Sequence, residues 1–298
     1  MKGIVLAGGT GSRLFPAARS ISKHLFPVYD KPMFYYPISV LMTAGIREIL
    51  LITNPESLPL IRQVLGTGSS LGIEIRYATQ SEPKGIAEAL LIGRDHIRGS
   101  RSALVLGDNI FHGEGFGGLL DRAATSTSGC TLFGSKVSDP RQYAVAGFGD
   151  MGRFESLEEK PAAPRSDCAV TGLYFYDQEV VDIAESIVPS ARGELEITDV
   201  NRVYLERDRA ELVTMGNEIT WLDLGTEESL LEGSRYVSTT ARGTGVRVAC
   251  LEEIALHMGF IGADECYRLG EEMPNSRYGA YVMEAARRAA GVWQGAGV

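Results

Sequence analysis

Two cations, two carboxylates and a glycine-rich turn are the residues of this chain that could do chemistry. The turn opens the stretch GGTGSRLFPAARSISKHLFPVYDKPMFYYP at 8–37 and follows a strand-like apolar run, KGIVLAG at 2–8. Gly8, Gly9 and Gly11 let the backbone approach a ligand closely and take positive φ, so successive N–H groups can wrap a phosphate. Arg13 and Lys23 come after the turn and could neutralise a polyphosphate. Taken alone, the same pattern also describes a surface turn with two solvated cations. It is not a P-loop, because no Gly-Lys-Ser/Thr follows Gly11. It is not the dinucleotide fingerprint either: Gly9-Thr10-Gly11 lacks the third glycine, and no acidic residue closes a βαβ unit about 20 residues on.

Asp108 follows the apolar run LVLG, and Asp223 lies in WLDLGT at 221–226. A carboxylate at a strand end facing phosphates suits Mg²⁺, which takes oxygen ligands and usually shares one or two carboxylates with phosphate and water. Asp223 is the candidate second carboxylate. Both residues also admit plainer roles, Asp108 as a turn former before Asn109 and Asp223 as a cap for a helix after Gly225. Lys160, in EEKP at 158–161, reads by itself as part of a solvated charge run.

The elements that must position these residues alternate in the first half. IVLAG at 4–8, EILLIT at 48–53, IEIRYAT at 73–79 and SALVLGD at 102–108 read as strands, nearly continuous in apolar residues as strands covered on both faces are. Helices are expected over 33–45, ending at Gly45, and over 56–65 and 84–95. This predicts an α/β fold, a Rossmann-like, mostly parallel sheet with helices on both faces. In such a sheet ligands bind beyond the carboxyl ends of the strands. Gly8 and Gly9, Gln80, and Gly107 with Asp108 all follow strands and so fall on one edge. Residues 130–176 carry shorter strands between Pro and Gly turns, read as a smaller inserted or mixed sheet for a second substrate. Helices are expected at 178–187 and 195–206. From about 226 the chain reads as helical, over 227–238, 251–258 and 276–290, with 291–298 a frayed tail.

The chain has 298 residues, 44% of them hydrophobic and 22% charged, which allows a substantial core. A formal net charge of −9 argues against nucleic acid and anionic membranes as partners. Cys130, Cys168, Cys250 and Cys266 form no CxxC pair and suggest reduced thiols in a cytoplasmic protein. The start, Met1-Lys2-Gly3, predicts no signal peptide, and no apolar run nears membrane-spanning length.

The composite pattern resembles the sugar-phosphate nucleotidyltransferase family, and within it the thymidylyltransferases that act on glucose 1-phosphate. The resemblance rests on SKHLFPVYDKPMFYYP at 22–37, LGDNIF at 106–111, LEEKP at 157–161, VTGLYFYD at 170–177, ARGELEITDVN at 191–201 and WLDLGT at 221–226. It implies Mg²⁺-dependent transfer from dTTP, or UTP, to a sugar 1-phosphate. It also implies a homotetramer or homodimer, a nucleotide-binding half over about 1–128, a sugar-binding half over about 129–240, and an interface or regulatory segment over 241–298. Arg13, Lys23, Asp108, Lys160 and Asp223 would be catalytic, with Asp108 and Asp223 on the metal. Leu6, Gly8, Gly9, Gln80 and Gly85 would join Arg13, Lys23 and Asp108 around the nucleotide. A side-chain amide such as that of Gln80 can donate and accept at once, which suits the imide edge of thymine or uracil. Lys160 would take the sugar's phosphate and Glu159 its hydroxyls, with Tyr143, Ala144, Val170 and Tyr174 shaping the pocket. Tyr174 could equally be core packing. Arg192 would line that pocket or hold its loop.

Several residues depart from the family pattern. His24 and Glu88 stand where glutamines are usual, and Ala144 replaces a glycine. Asn217 and His257 replace arginines of a regulatory nucleotide site, which predicts weak or absent feedback. Two other classes compete with this reading. A binding protein that lost turnover fits poorly with retention of all five catalytic candidates, and a glycosyltransferase would more typically show Asp-x-Asp where this chain has Asp108-Asn109-Ile110.

Overall fold

The computed structural model describes residues 1–126 and 128–291. In chain order the first half forms β1 (Lys2–Ala7), the short ribbon β2 (Pro27–Val28) and β3 (Lys31–Pro32), α1 (Tyr35–Thr43), β4 (Glu48–Thr53) and α2 (Leu58–Leu65). It continues with β5 (Glu74–Thr79), α3 (Glu88–Ile92), α4 (Arg94–Ile97), β6 (Ser102–Leu106), β7 (Asn109–Gly113) and α5 (Phe116–Ser126). The second half forms β8 (Cys130–Lys136), β9 (Ala144–Phe148), β10 (Phe154–Glu159), β11 (Cys168–Tyr176), α6 (Val180–Ser186), α7 (Ile197–Glu206), β12 (Ala210–Thr214) and β13 (Ile219–Asp223). Helices α8 (Glu227–Thr244), α9 (Leu251–His257), α10 (Ala263–Glu271) and α11 (Arg277–Ala289) follow.

The four apolar runs of the first half pair as parallel neighbours in the order β6-β1-β4-β5. Side chains along β1 alternate between two cores. Val5 and Ala7 pack with Ile38 and Leu41 of α1, while Ile4 and Leu6 pack with Ala89 and Leu90 of α3. Each such buried aliphatic contributes about 1.5–3 kcal/mol, which is why β1, β4 and β6 carry no polar alternation, while β5 at the edge exposes Glu74 and Arg76.

The second half continues the same sheet rather than building a separate one. β11 pairs antiparallel with β6, and β8, β9, β10 and β12 attach through it to give nine strands. Tracing the pairings, seven of the nine run one way, and only β10 and β11 run against them. β11 is longer than the edge it joins. Leu173–Tyr176 pair with β6, and Cys168–Val170 overhang that strand's end and pair with β8. Glycine permits the crossing: a Cβ on Gly172 would lie 2.7 Å from the Leu106 side chain.

The helix expected over 84–95 is two short ones, because Gly93 interrupts it. Helices α5 and α10 were not foreseen, nor was the ribbon of β7 and β13. α8 runs on to Thr244, past its expected end, from a capping box of Thr226 and Ser229. The tail expected over 291–298 lies, apart from Gly291, outside the described residues. Among the described residues no helix is long and apolar enough to cross a membrane.

Candidate active site

The two carboxylates meet through the ribbon. β13 pairs antiparallel with β7 so that Asp223 stands opposite Asn109, and the Leu224 N–H donates to the Asp108 carbonyl at 2.9 Å. Asn109 ties the junction together. Its Nδ2 donates to Asp108 Oδ1 at 2.9 Å, while its Oδ1 accepts from Trp221 Nε1 at 2.7 Å and from the Gly172 N–H at 3.1 Å. Three strands therefore converge on one buried amide, and that amide fixes the Asp108 carboxylate.

The cations come from the loop after β1. Gly9 and Gly11 have φ of 92° and 62°, a left-handed region that favours glycine. Lys23 Nζ donates to Asp108 Oδ2 at 2.5 Å. The Arg13 guanidinium lies against Gly225, where a Cβ would come within 2.7 Å of Nη2. The turn after β13 is thus bare where Arg13 reaches the site.

Burial and charge set the two acids apart. Burial alone would raise the Asp108 carboxyl, but the Lys23 ammonium, its hydrogen bond and that of Asn109 hold it well below the usual carboxylate range. Burial raises Asp223 to about 6, and the Asp108 charge adds to this against Lys23, Arg13 and Lys160. Two carboxylates near enough for the Asp108 charge to act on Asp223 are oxygen ligands of the kind a divalent cation takes, completed by phosphate and water, with Lys23 occupying Asp108 Oδ2 in the free chain. His24, fully buried beside Lys23, is pushed down to about 3 by burial and then by the Lys23 charge, and its Nδ1 lies 3.1 Å from Ser22 Oγ.

Two cavities flank this centre. One of about 310 Å³ is lined by Leu6, Gly8, Gly9, Arg13, Lys23, Gln80, Gly85 and Asp108, which are all eight of the residues expected around a nucleotide. The other, about 190 Å³, is lined by Tyr143, Ala144, Glu159, Lys160, Val170 and Tyr174, together with Asp223. Arg13, Ile86, Leu106 and Asp108 line both. Glu159 is held by Thr198 Oγ1 at 2.5 Å, and Lys160 sits at φ 43°, a strained conformation for a non-glycine residue. Tyr174 both lines the cavity and packs in the core. Arg192 is not part of the lining. It donates to Glu196 at 2.8 Å and Glu159 at 3.4 Å and so holds the loop. Asn217 and His257 are exposed and away from both cavities.

The sequence profile of nucleotidyl transferases matches residues 2–240. The chain belongs to the nucleotidyl transferase family. Among members of that family it is 49% identical over 97% of its length to the glucose-1-phosphate thymidylyltransferase of Xanthomonas campestris pv. campestris, of which the match covers 98%. It is 48% identical over 97% of its length to the enzyme of the same name from Mycobacterium tuberculosis, covering all of it. A solved structure from Bacillus anthracis, assigned as a glucose-1-phosphate thymidylyltransferase and crystallised with sucrose, is 38% identical with a TM-score of 0.73, covering 79% of this chain and 94% of that one. A UDP-glucose pyrophosphorylase complexed with UDP-glucose, 21% identical, shares the fold at a TM-score of 0.70 over 80% of this chain and 98% of its own.

For this nucleotidyl transferase, sequence reasoning missed the supporting residues. Asn109 carries no charge to flag it, and its neighbour Asp108 took the attention. Gly225 and Thr198 lie inside motif blocks, but their tasks depend on contacts with Arg13 and Glu159 that no local pattern encodes. Only the invitation to ask why WLDLGT contains a glycine was available beforehand.

Proposed function

We propose that this chain transfers the thymidylyl group of dTTP to α-D-glucose 1-phosphate, giving dTDP-glucose and pyrophosphate. The observation that carries the reading is the shared wall: Arg13 and Asp108 line both cavities, so two anions placed there meet at one cation and one carboxylate. Relatives matching 97% of the chain at 48–49% identity bear the matching name.

The phosphate of a sugar 1-phosphate is largely ionised at neutral pH and needs no protein base or nucleophile. One of its oxygens bonds to the α-phosphorus as the bond from that phosphorus to the bridging oxygen of pyrophosphate breaks. The protein's task is alignment and charge stabilisation. Lys160 aims the attacking phosphate, with Glu159 on the sugar hydroxyls. Arg13 stabilises charge on the α-phosphate. Lys23, paired with Asp108 in the free chain, is placed to turn to the leaving pyrophosphate. Asp108 and Asp223 would hold Mg²⁺, which would supply charge neutralisation on the phosphates. Gln80 and Gly85 meet the base.

UTP, or another sugar or cyclitol 1-phosphate, would undergo the same chemistry, since thymine and uracil differ by one methyl worth about 1–3 kcal/mol. Pyrophosphate release over a panel of triphosphates and sugar 1-phosphates, with and without Mg²⁺, tests the assignment. Highest kcat/KM for dTTP with glucose 1-phosphate supports it, and no metal-dependent release with any pair rejects it. The reading extends to a cytoplasmic homotetramer or homodimer with nucleotide and sugar halves at about 1–128 and 129–240, and an interface segment at 241–298. Feedback by a dTDP-sugar is weak, because Asn217 and His257 supply no guanidinium.

A further inference from the structure

Glu88 is the acceptor that decides which way round the Gln80 amide sits. Gln80 is 6% exposed. Its Nε2 donates to the Gly85 carbonyl at 3.2 Å and to Glu88 Oε2 at 2.7 Å. A carbonyl and an ionised carboxylate only accept, so the nitrogen is held on their side. Oε1 is left facing Gly8, 2.6 Å from where a Cβ would stand, in the wall of the 310 Å³ cavity. Rotating the amide by half a turn would set Oε1 against two acceptors, one of them anionic. A glutamine at position 88, usual in the pattern this chain resembles, could turn its own amide to satisfy either orientation.

We infer that Glu88 is a positioning residue that fixes Gln80 as a hydrogen-bond acceptor toward the base, so that the cavity takes a pyrimidine carrying N3–H and rejects cytosine. Thymine and uracil offer a donor at N3. Cytosine offers an acceptor there, and it would face Oε1 unpaired. A site built around a specific donor rejects an analogue lacking it far more strongly than one reading a methyl. The inference rests on the base-reading role of Gln80 proposed above.

The experiment compares the native chain, Glu88→Gln and Gln80→Leu with dTTP and dCTP, as kcat/KM and as the affinities of dTDP and dCDP by calorimetry. In Glu88→Gln the preference for dTTP over dCTP falls tenfold or more through a gain on dCTP, while kcat with dTTP stays within about threefold. Glu88→Met, which also removes the fixed acceptor, shows the same fall in preference if Glu88→Gln does not fold. A ratio between two nucleotides is not moved by a loss of folded protein. If Gln80→Leu loses the preference and both Glu88 variants keep it, the orienting role of Glu88 is overturned and the base reading survives. If Gln80→Leu keeps it too, the base reading is overturned and this inference with it.

Discussion

Replacing His24 with glutamine should flatten the acid limb of the stability curve. The imidazole is buried, and its pKa falls from 6.5 to about 3 on folding, first through burial and then through the neighbouring Lys23 ammonium, with Asp108 opposing. A ring kept neutral when folded but protonated when unfolded makes unfolding take up a proton. Stability from this group is therefore complete above pH 6.5 and is lost as the pH falls toward 3. At pH 5 the unfolded ring is about 97% protonated, and RT ln(1 + 10^1.5) gives a loss of about 2 kcal/mol relative to pH 8. Any native-state value below about 4.5 gives nearly the same figure. Glutamine cannot titrate, and its packing difference is the same at both pH values. Asp223 titrates in this window as well, but His24 is not among the causes of its shift, so it contributes alike to both proteins. Urea unfolding followed by fluorescence, for the native chain and His24→Gln at pH 8 and pH 5, reads the difference directly. Parallel losses in the two proteins, within about 0.5 kcal/mol, would refute the reasoning.

Arg13→Ala and Lys23→Ala should each lower kcat at least ~100-fold in protein that still folds, since each removes a donor to transition-state charge; near-normal turnover in either rejects its role. Gly225→Ala should lower kcat about tenfold or more, because the new methyl would stand 2.7 Å from Arg13 Nη2 and displace the guanidinium. Unchanged kinetics would show that Arg13 does not need that seat. Asp223, raised to about 6, is ionised at pH 7.5 and mostly protonated at pH 5. The Mg²⁺ concentration for half-maximal activity should therefore rise about tenfold between those values, with the dependence lost in Asp223→Asn; a flat titration in the native chain counts against Asp223 as a ligand.

The parallel strands β1, β4 and β6 were legible because each is a short apolar run whose two faces are both covered, whereas β5, at the sheet edge, alternates exposed Glu74 and Arg76 with Ile75 and Tyr77. The convergence of Gly8, Gln80 and Asp108 followed from strand ends alone. NIFHG and ITWLD were not legible as a pair, since neither is periodic over enough residues and the partners stand 112 positions apart. FGGLLDRAATS hides a helix behind two glycines, and ADECYRLGE hides one behind its polarity. Asn109 escaped for another reason: a neutral amide gains its importance only from the three groups that happen to surround it. The departures at His24 and Glu88 were visible as differences, but their physical content, a buried neutral ring and a fixed amide, needed coordinates.

The ribbon of β7 and β13 joins residues 112 positions apart. During synthesis the glycine loop, Lys23 and Asp108 emerge first, and the partner acid follows much later. A nascent or truncated chain ending before β13 already carries the strands of the parallel sheet and still lacks one of the two acids. On the role proposed for Asp223, turnover waits for β13, and copies stopped short of it are spared from consuming triphosphate.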